Sequence, residues 1–105
     1  MKIAVSSTGG SINALVEERF GRAPYYVIVD STTMRFGLVS NPSVTSAHGA
    51  GPQTAALVHE RGATVVLTGR VGPNARKALD ALGITVVEGT TGTVRHAVEA
   101  YLRDA

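Results

Sequence analysis

Gly51-Pro52-Gln53 followed by Gly62-Ala63-Thr64-Val65-Val66 recurs in register as Gly72-Pro73-Asn74 followed by Gly83-Ile84-Thr85-Val86-Val87, an offset of 21 residues. Each copy opens with glycine then proline. That pair suits a helix start, because proline's fixed φ fits the first turn and its missing N–H would have no partner there. Each helix then ends at a glycine, Gly62 or Gly83, that reads as a helix C-terminal cap before a β-branched run. The repeat therefore predicts two successive helix-then-strand units. Strands separated by helices run parallel, and the turns leaving their carboxyl ends are where such sheets hold ligands.

Outward from the repeat, Ile3-Ala4-Val5 predicts a buried first strand that runs into Ser6-Ser7-Thr8-Gly9-Gly10. Ile12, Leu15, Val16 and Phe20 then keep roughly helical spacing and predict a short helix. Tyr25 to Asp30 and Phe36 to Ser40, joined by the turn-like Ser31-Thr32-Thr33, predict an antiparallel hairpin that Asn41-Pro42 ends. The segment from Ser40 to Pro52 is rich in Ser, Thr, Gly and Ala, and loops of this length in small domains are often functional. The repeated helices are expected from Pro52 to Arg61 and from Pro73 to Leu82. Val65-Val66-Leu67 and Ile84-Thr85-Val86-Val87 are nearly continuous apolar runs, as in strands covered on both faces. Val94, Ala97, Val98, Tyr101 and Leu102 make the stripe of a last helix. The expected class is α/β, with residues 1–105 forming one domain.

Composition narrows the function. Ten Lys and Arg against eight Asp and Glu give a formal charge of +2 without a run of adjacent cations, which favours a local anion site over a nucleic-acid groove. The five aromatics, Phe20, Tyr25, Tyr26, Phe36 and Tyr101, offer little for base stacking. No apolar run approaches the 18 or so residues of a membrane span, and Met1 to Ser7 is too short an apolar stretch for a signal peptide, so a cytoplasmic location is expected. With no cysteine there is no disulfide, no thiolate chemistry and no cysteine-ligated metal.

Assigning each strand a direction sorts the loops. The first, third, fourth and fifth strands run parallel and the second runs against them, so nine of the twelve glycines converge on the carboxyl rim. Glycine-rich turns entering helix N-termini expose N–H groups and the positive end of the helix dipole, and so attract anions. Arg22, His48 and Arg70 lie in the same loops, with Arg76 one turn further in, adding donors suited to an oxyanion or a sulfide-coated anion. The alternative is that the glycines only make tight turns and that Arg22 and Arg70 are ordinary surface charges. His48, between Ala47 and Gly49, reads either as a ligand or donor or as an exposed loop histidine; His59 and His96 read as surface residues.

Enzyme motifs fail on inspection. Gly49-Ala50-Gly51-Pro52-Gln53-Thr54 starts like a dinucleotide fingerprint, but Thr54 replaces the third glycine and no strand precedes it. No Walker lysine or nucleophile elbow is present, and Glu88 alone among the acids approaches the rim. The chain offers no evident acid, base or nucleophile, and a non-enzymatic protein is expected.

Phe20-Gly21-Arg22-Ala23-Pro24, Asn41-Pro42, His48-Gly49-Ala50-Gly51-Pro52 and Gly69-Arg70-Val71-Gly72-Pro73-Asn74-Ala75, in this order, resemble the dinitrogenase iron-molybdenum cofactor biosynthesis family across nearly the whole chain. The resemblance implies a ribonuclease-H-like αβα sandwich on a five-stranded mixed sheet with the second strand antiparallel. It also implies that the domain binds or carries a preassembled anionic metal-sulfur cluster. That cluster is a molybdenum-copper sulfide, as in the family's small stand-alone orange protein type, or an iron-molybdenum-sulfur group. On this reading the cluster lies against Ser7, Thr8, Gly9, Gly10, Arg22, His48, Gly49, Gly51, Arg70 and Gly72, with His48 the candidate metal ligand. The implied partners are a cluster donor or recipient protein, with no nucleic acid and no membrane, and the chain is a monomer or a weak homodimer. Two other classes stay open: a regulatory or scaffold protein that binds an acidic tail or phosphate without metal, and a ribonuclease-H-like hydrolase. The hydrolase would need clustered carboxylates and Mg²⁺, and the placement of the acids argues against it.

Overall fold

The β-branched and aromatic stretches take extended backbone as β1 (Lys2–Ser7), β2 (Tyr25–Asp30), β3 (Phe36–Ser40), β4 (Ala63–Leu67) and β5 (Thr85–Val87). The computed structural model describes residues 1–42 and 50–104. The strands form one sheet in the order β3-β2-β1-β4-β5. β2 is antiparallel to both β1 and β3, while β1, β4 and β5 are mutually parallel. The helices are α1 (Ala50–Glu60), α2 (Pro73–Ala81) and α3 (Val94–Asp104). This is the ribonuclease-H-like three-layer αβα sandwich expected, with strand 2 reversed. Gly62 and Gly83 follow α1 and α2 with positive φ. None of the described helices is long and apolar enough to cross a membrane.

Period-two alternation divides the core between the sheet's faces. Ala4, Tyr26, Ile28, Val39 and Val66 pack with Ala55 and Val58 of α1 and with Ala75 and Leu79 of α2. Ile3, Val5, Val27, Val29, Val65 and Leu67 pack with Val94, Ala97 and Val98 of α3. Most of these side chains are fully buried, and each such Val, Leu or Ile contributes roughly 1.5–3 kcal/mol.

The short helix expected from Ile12 to Phe20 does not form. Its apolar residues serve both cores, which one helical stripe could not do: Ile12 and Val16 pack on the α3 side, Phe20 packs on the α1 and α2 side, and Leu15 is exposed. The backbone instead bonds to other elements. Val16 N–H donates to Gly92 O (2.9 Å), Glu17 N–H to Ser6 O (2.8 Å), and Phe20 N–H to Arg70 O (3.1 Å). Arg70 N–H returns a bond to Glu18 O at 2.7 Å. Residues 17–20 thus form a strap across the carboxyl ends of β1 and β4, and a 3-10 turn at Phe20–Arg22 follows.

The strap passes so close to β4's end that a Cβ on Gly69 would sit 2.5 Å from Glu18 O and 2.7 Å from Glu18 Cα. Backbone cannot yield as a flexible side chain could. Gly69→Ala is therefore expected to lower unfolding free energy by roughly 1–3 kcal/mol in urea titrations. Gly37→Ala, whose Cβ meets nothing within 4 Å, should leave stability unchanged or raise it by up to about 1 kcal/mol.

Candidate functional site

The N-terminus of α2 is built to stay open. Gly72 is its N-cap with extended backbone (φ −70°, ψ 167°), Pro73 follows, and neither a capping side chain nor a first-turn acid satisfies the leading N–H groups. The start of α1 lies against it at Gly51, where a Cβ would come within 2.6 Å of Ala75 Cβ. Only glycine lets the two helix ends approach this closely, so two positive dipole ends share one place.

The strap supplies the third wall, and a buried polar network holds it. Tyr26 Oη donates to the Phe20 carbonyl, and the two rings lie 5.4 Å apart in a tilted arrangement. Asn41 Nδ2 donates to Ala23 O at 2.9 Å and to Gly21 O at 3.3 Å, and it lies 3.4 Å from Tyr26 Oη. Asn41 N–H also donates to Pro24 O at 3.0 Å. The strand-ending Asn41 thereby ties β3 to the Phe20-Gly21-Arg22-Ala23-Pro24 segment and sets where Arg22 stands.

Between these walls is an open cleft of about 590 Å³. Its lining includes Arg19, Arg22 and Arg70, all exposed, together with Gly51, Gly72 and Asn74. No acidic residue is among the described residues that line it. Three arginines beside the open N-terminus of α2 and the adjoining start of α1 make a site of positive potential, suited to accept an anion through charge-assisted and backbone hydrogen bonds.

The structure thus brings Arg22, Gly51, Arg70 and Gly72 together. Ser7, Thr8, Gly9 and Gly10, expected on the same rim, do not line the cleft, because the strap crosses between the end of β1 and the arginines. Ser7 is buried, and its hydroxyl is turned back on Gly9 O at 2.7 Å. Arg76, expected as a further donor, pairs instead with Glu88 (Nη2 to Oε2, 3.6 Å). His48 and Gly49 lie outside the described residues. Arg19 and Asn74 went unread as site residues. Arg19 sat inside the stretch that spacing assigned to a helix, and only its place between Glu18 and Phe20 on the strap turns it to the cleft.

Metal coordination has little support among the described residues, where no group of three His, Asp or Glu side chains could hold an ion. Glu88 reaches the arginine loop: its Oε1 accepts the Val71 N–H at 2.8 Å. His59 and His96 are exposed, as expected.

Comparison with known proteins adds a lineage to this geometry. The sequence profile of the family described as dinitrogenase iron-molybdenum cofactor matches residues 1–104. The apo orange protein from Desulfovibrio gigas is 46% identical, with a TM-score of 0.95 over 98% of this chain and 88% of that one. The NMR structure of a Thermotoga protein described as NifB-type and of the DUF35 family is 31% identical, with a TM-score of 0.86 over 97% and 87% of the two chains. An uncharacterised protein of Methanocaldococcus jannaschii is 24% identical over 93 residues, 86% of this chain and 79% of its own length.

The network beneath the strap has a pH signature. Burial raises the Tyr26 phenol well above its ordinary value near 10, and its hydrogen bonds with Thr54 and the Ala23 main chain offset only part of that rise. The unfolded chain releases this proton near pH 10 while the folded chain keeps it. The stability involved is therefore fully present below pH 10 and is lost as pH rises from there toward the folded value. In urea titrations from pH 9 to 11.5, the protein should lose up to about 1.4 kcal/mol per pH unit more than Tyr26→Phe above pH 10. At pH 7 the same variant should be less stable by roughly 1–3 kcal/mol, because the Phe20 carbonyl loses its donor.

Proposed function

This chain belongs to the dinitrogenase iron-molybdenum cofactor family, a lineage of metallocluster-related proteins, and from that premise we propose that it is a non-enzymatic carrier of an anionic metal-sulfur cluster. The cargo we propose first is a molybdenum-copper sulfide; an iron-molybdenum-sulfur cluster is the alternative. The observation that carries the reading is the cleft itself, with Arg19, Arg22 and Arg70 around the uncapped start of α2 and the adjoining start of α1, and no acidic residue among its described lining.

The donor set suits such a cargo. Terminal and bridging sulfides accept hydrogen bonds from guanidinium and backbone N–H groups, and a multiply charged anion gains from every donor at once. Arg22 and Arg70 are the principal charged donors in this proposal, with Arg19 beside them and Gly51 and Gly72 admitting the cargo close to the backbone. His48 and Gly49, on the segment that enters α1, complete the proposed set, His48 as a direct metal ligand or a further donor. Without cysteine the chain has no thiolate to anchor iron, so capture is electrostatic and reversible, as a protein passing a cluster from a donor to a recipient in the cytoplasm requires.

One observation favours a second reading. The described residues include no cluster of metal-ligating side chains, and a basic cleft of this kind also suits the phosphate or acidic tail of a protein partner without metal.

An anaerobic titration of the metal-free protein with tetrathiomolybdate and copper, followed by gel filtration and elemental analysis, separates the two. Coloured, stoichiometric co-elution is expected; colour that leaves the protein peak rejects the molybdenum-copper cargo. Arg22→Ala and Arg70→Ala should each weaken binding by roughly 1.5–3 kcal/mol, about ten- to a hundredfold, the worth of a charge-assisted hydrogen bond. Affinity unchanged in both variants would remove the cleft from the argument.

A further inference from the structure

Glu88 follows β5 and is nearly half exposed, at 41%, yet both of its carboxylate oxygens are engaged. Oε1 accepts the Val71 N–H at 2.8 Å and Oε2 lies 3.6 Å from Arg76 Nη2. Val71 lines the cleft, and the next residue, Gly72, caps the helix that carries Arg76. The first turn of α2 has no acid of its own, and a negative charge is what such a helix start attracts. Glu88 brings that charge from the turn after β5.

We propose that Glu88 is a resident competitor for the anion site: its carboxylate occupies a latent donor pair, the Val71 N–H and the Arg76 guanidinium, and lowers the cleft's affinity for anions in proportion to their charge. The inference rests on reading the cleft as an anion site and adds what sets its selectivity. The carboxylate's charge repels a bound anion, and a singly charged one less than a multiply charged one. A multiply charged anion is repelled more while Glu88 stays in place, and gains more when Glu88 yields Arg76 to it. Holding the loop is a separable duty, because the main chain already ties it to the end of β5: Gly89 N–H donates to Gly69 O at 2.7 Å and Thr90 N–H to Thr68 O at 3.0 Å.

Glu88→Gln keeps an oxygen for the Val71 N–H and removes the charge, so it tests competition rather than loop support. Binding is followed by amide NMR titration with inorganic phosphate, mostly a dianion at pH 8, and with singly charged perrhenate. Phosphate affinity should rise roughly three- to tenfold in Glu88→Gln, perrhenate affinity should rise less, and the Val71 and Asn74 amides should shift with the bound anion. Glu88→Gln combined with Arg76→Gln should return phosphate affinity to about the wild-type level. Asp80→Asn, which removes a charge at the far end of α2, should leave it unchanged.

Phosphate affinity unchanged, weakened or undetectable in Glu88→Gln overturns the proposal, as does an equal gain in Asp80→Asn. The functional reading fails separately. If tetrathiomolybdate and copper do not co-elute with the wild-type protein while Glu88→Gln still gains phosphate affinity, the cluster cargo is wrong and the competitor role of Glu88 stands.

Discussion

Residues 17–20 hydrogen-bond across the carboxyl ends of β1 and β4, and the remainder of the site depends on that crossing. Three backbone bonds and the Ser6 hydroxyl, which donates to Glu17 O at 2.7 Å and meets Thr68 Oγ1 at 2.7 Å, satisfy polar groups that would otherwise end unpaired over a buried sheet. The chain thereby passes from the α3 face to the α1 and α2 face, leaving Ile12 and Val16 in one core and Phe20 in the other. Without the crossing there would be no wall opposite α2, and Arg19 and Arg22 would have no fixed relation to Arg70.

The crossing is locked by a polar network rather than by apolar packing alone. Tyr26, Asn41 and Thr54 are all buried, and none of the described buried side-chain polar atoms lacks a partner. Such networks are stabilising only when fully satisfied, and this one spends its bonds on the carbonyls of Phe20, Gly21 and Ala23. The consequence for function is rigidity where it counts: arginines on long side chains present an ordered charge only if the backbone beneath them does not move.

The cleft draws its charges and donors from several elements. Its cations come from the strap, the turn that follows it and the turn after β4, its N–H groups from two helix starts, and a carboxylate reaches it from just past β5. Glycine contributes through its lack of a side chain at two contacts: at Gly69 the strap lies against the backbone, and at Gly51 α1 lies against α2. The crowding of glycines on the rim is thus partly structural.

Much of the fold was legible in the sequence because its signals are local. The Gly-Pro repeat marked the starts of α1 and α2 to within two residues, the period-two runs marked the strands, and the lengths of the connections dictated which strands are parallel. The arginines at 22 and 70 were legible too, since a strand direction places the loop that follows it. The segment from Ile12 to Phe20 was not legible, because spacing records that residues are apolar but not which of two cores receives them. For the same reason Arg19 was hidden, Ser7 to Gly10 were grouped with arginines from which the strap divides them, and Arg76 was read as a further donor although it pairs with Glu88. Sequence determined the elements and their directions, which depend on neighbours in the chain; the tertiary structure alone decided which loop ends face each other, because that rests on hydrogen bonds between residues 50 or more positions apart, as from Phe20 to Arg70 and from Val16 to Gly92.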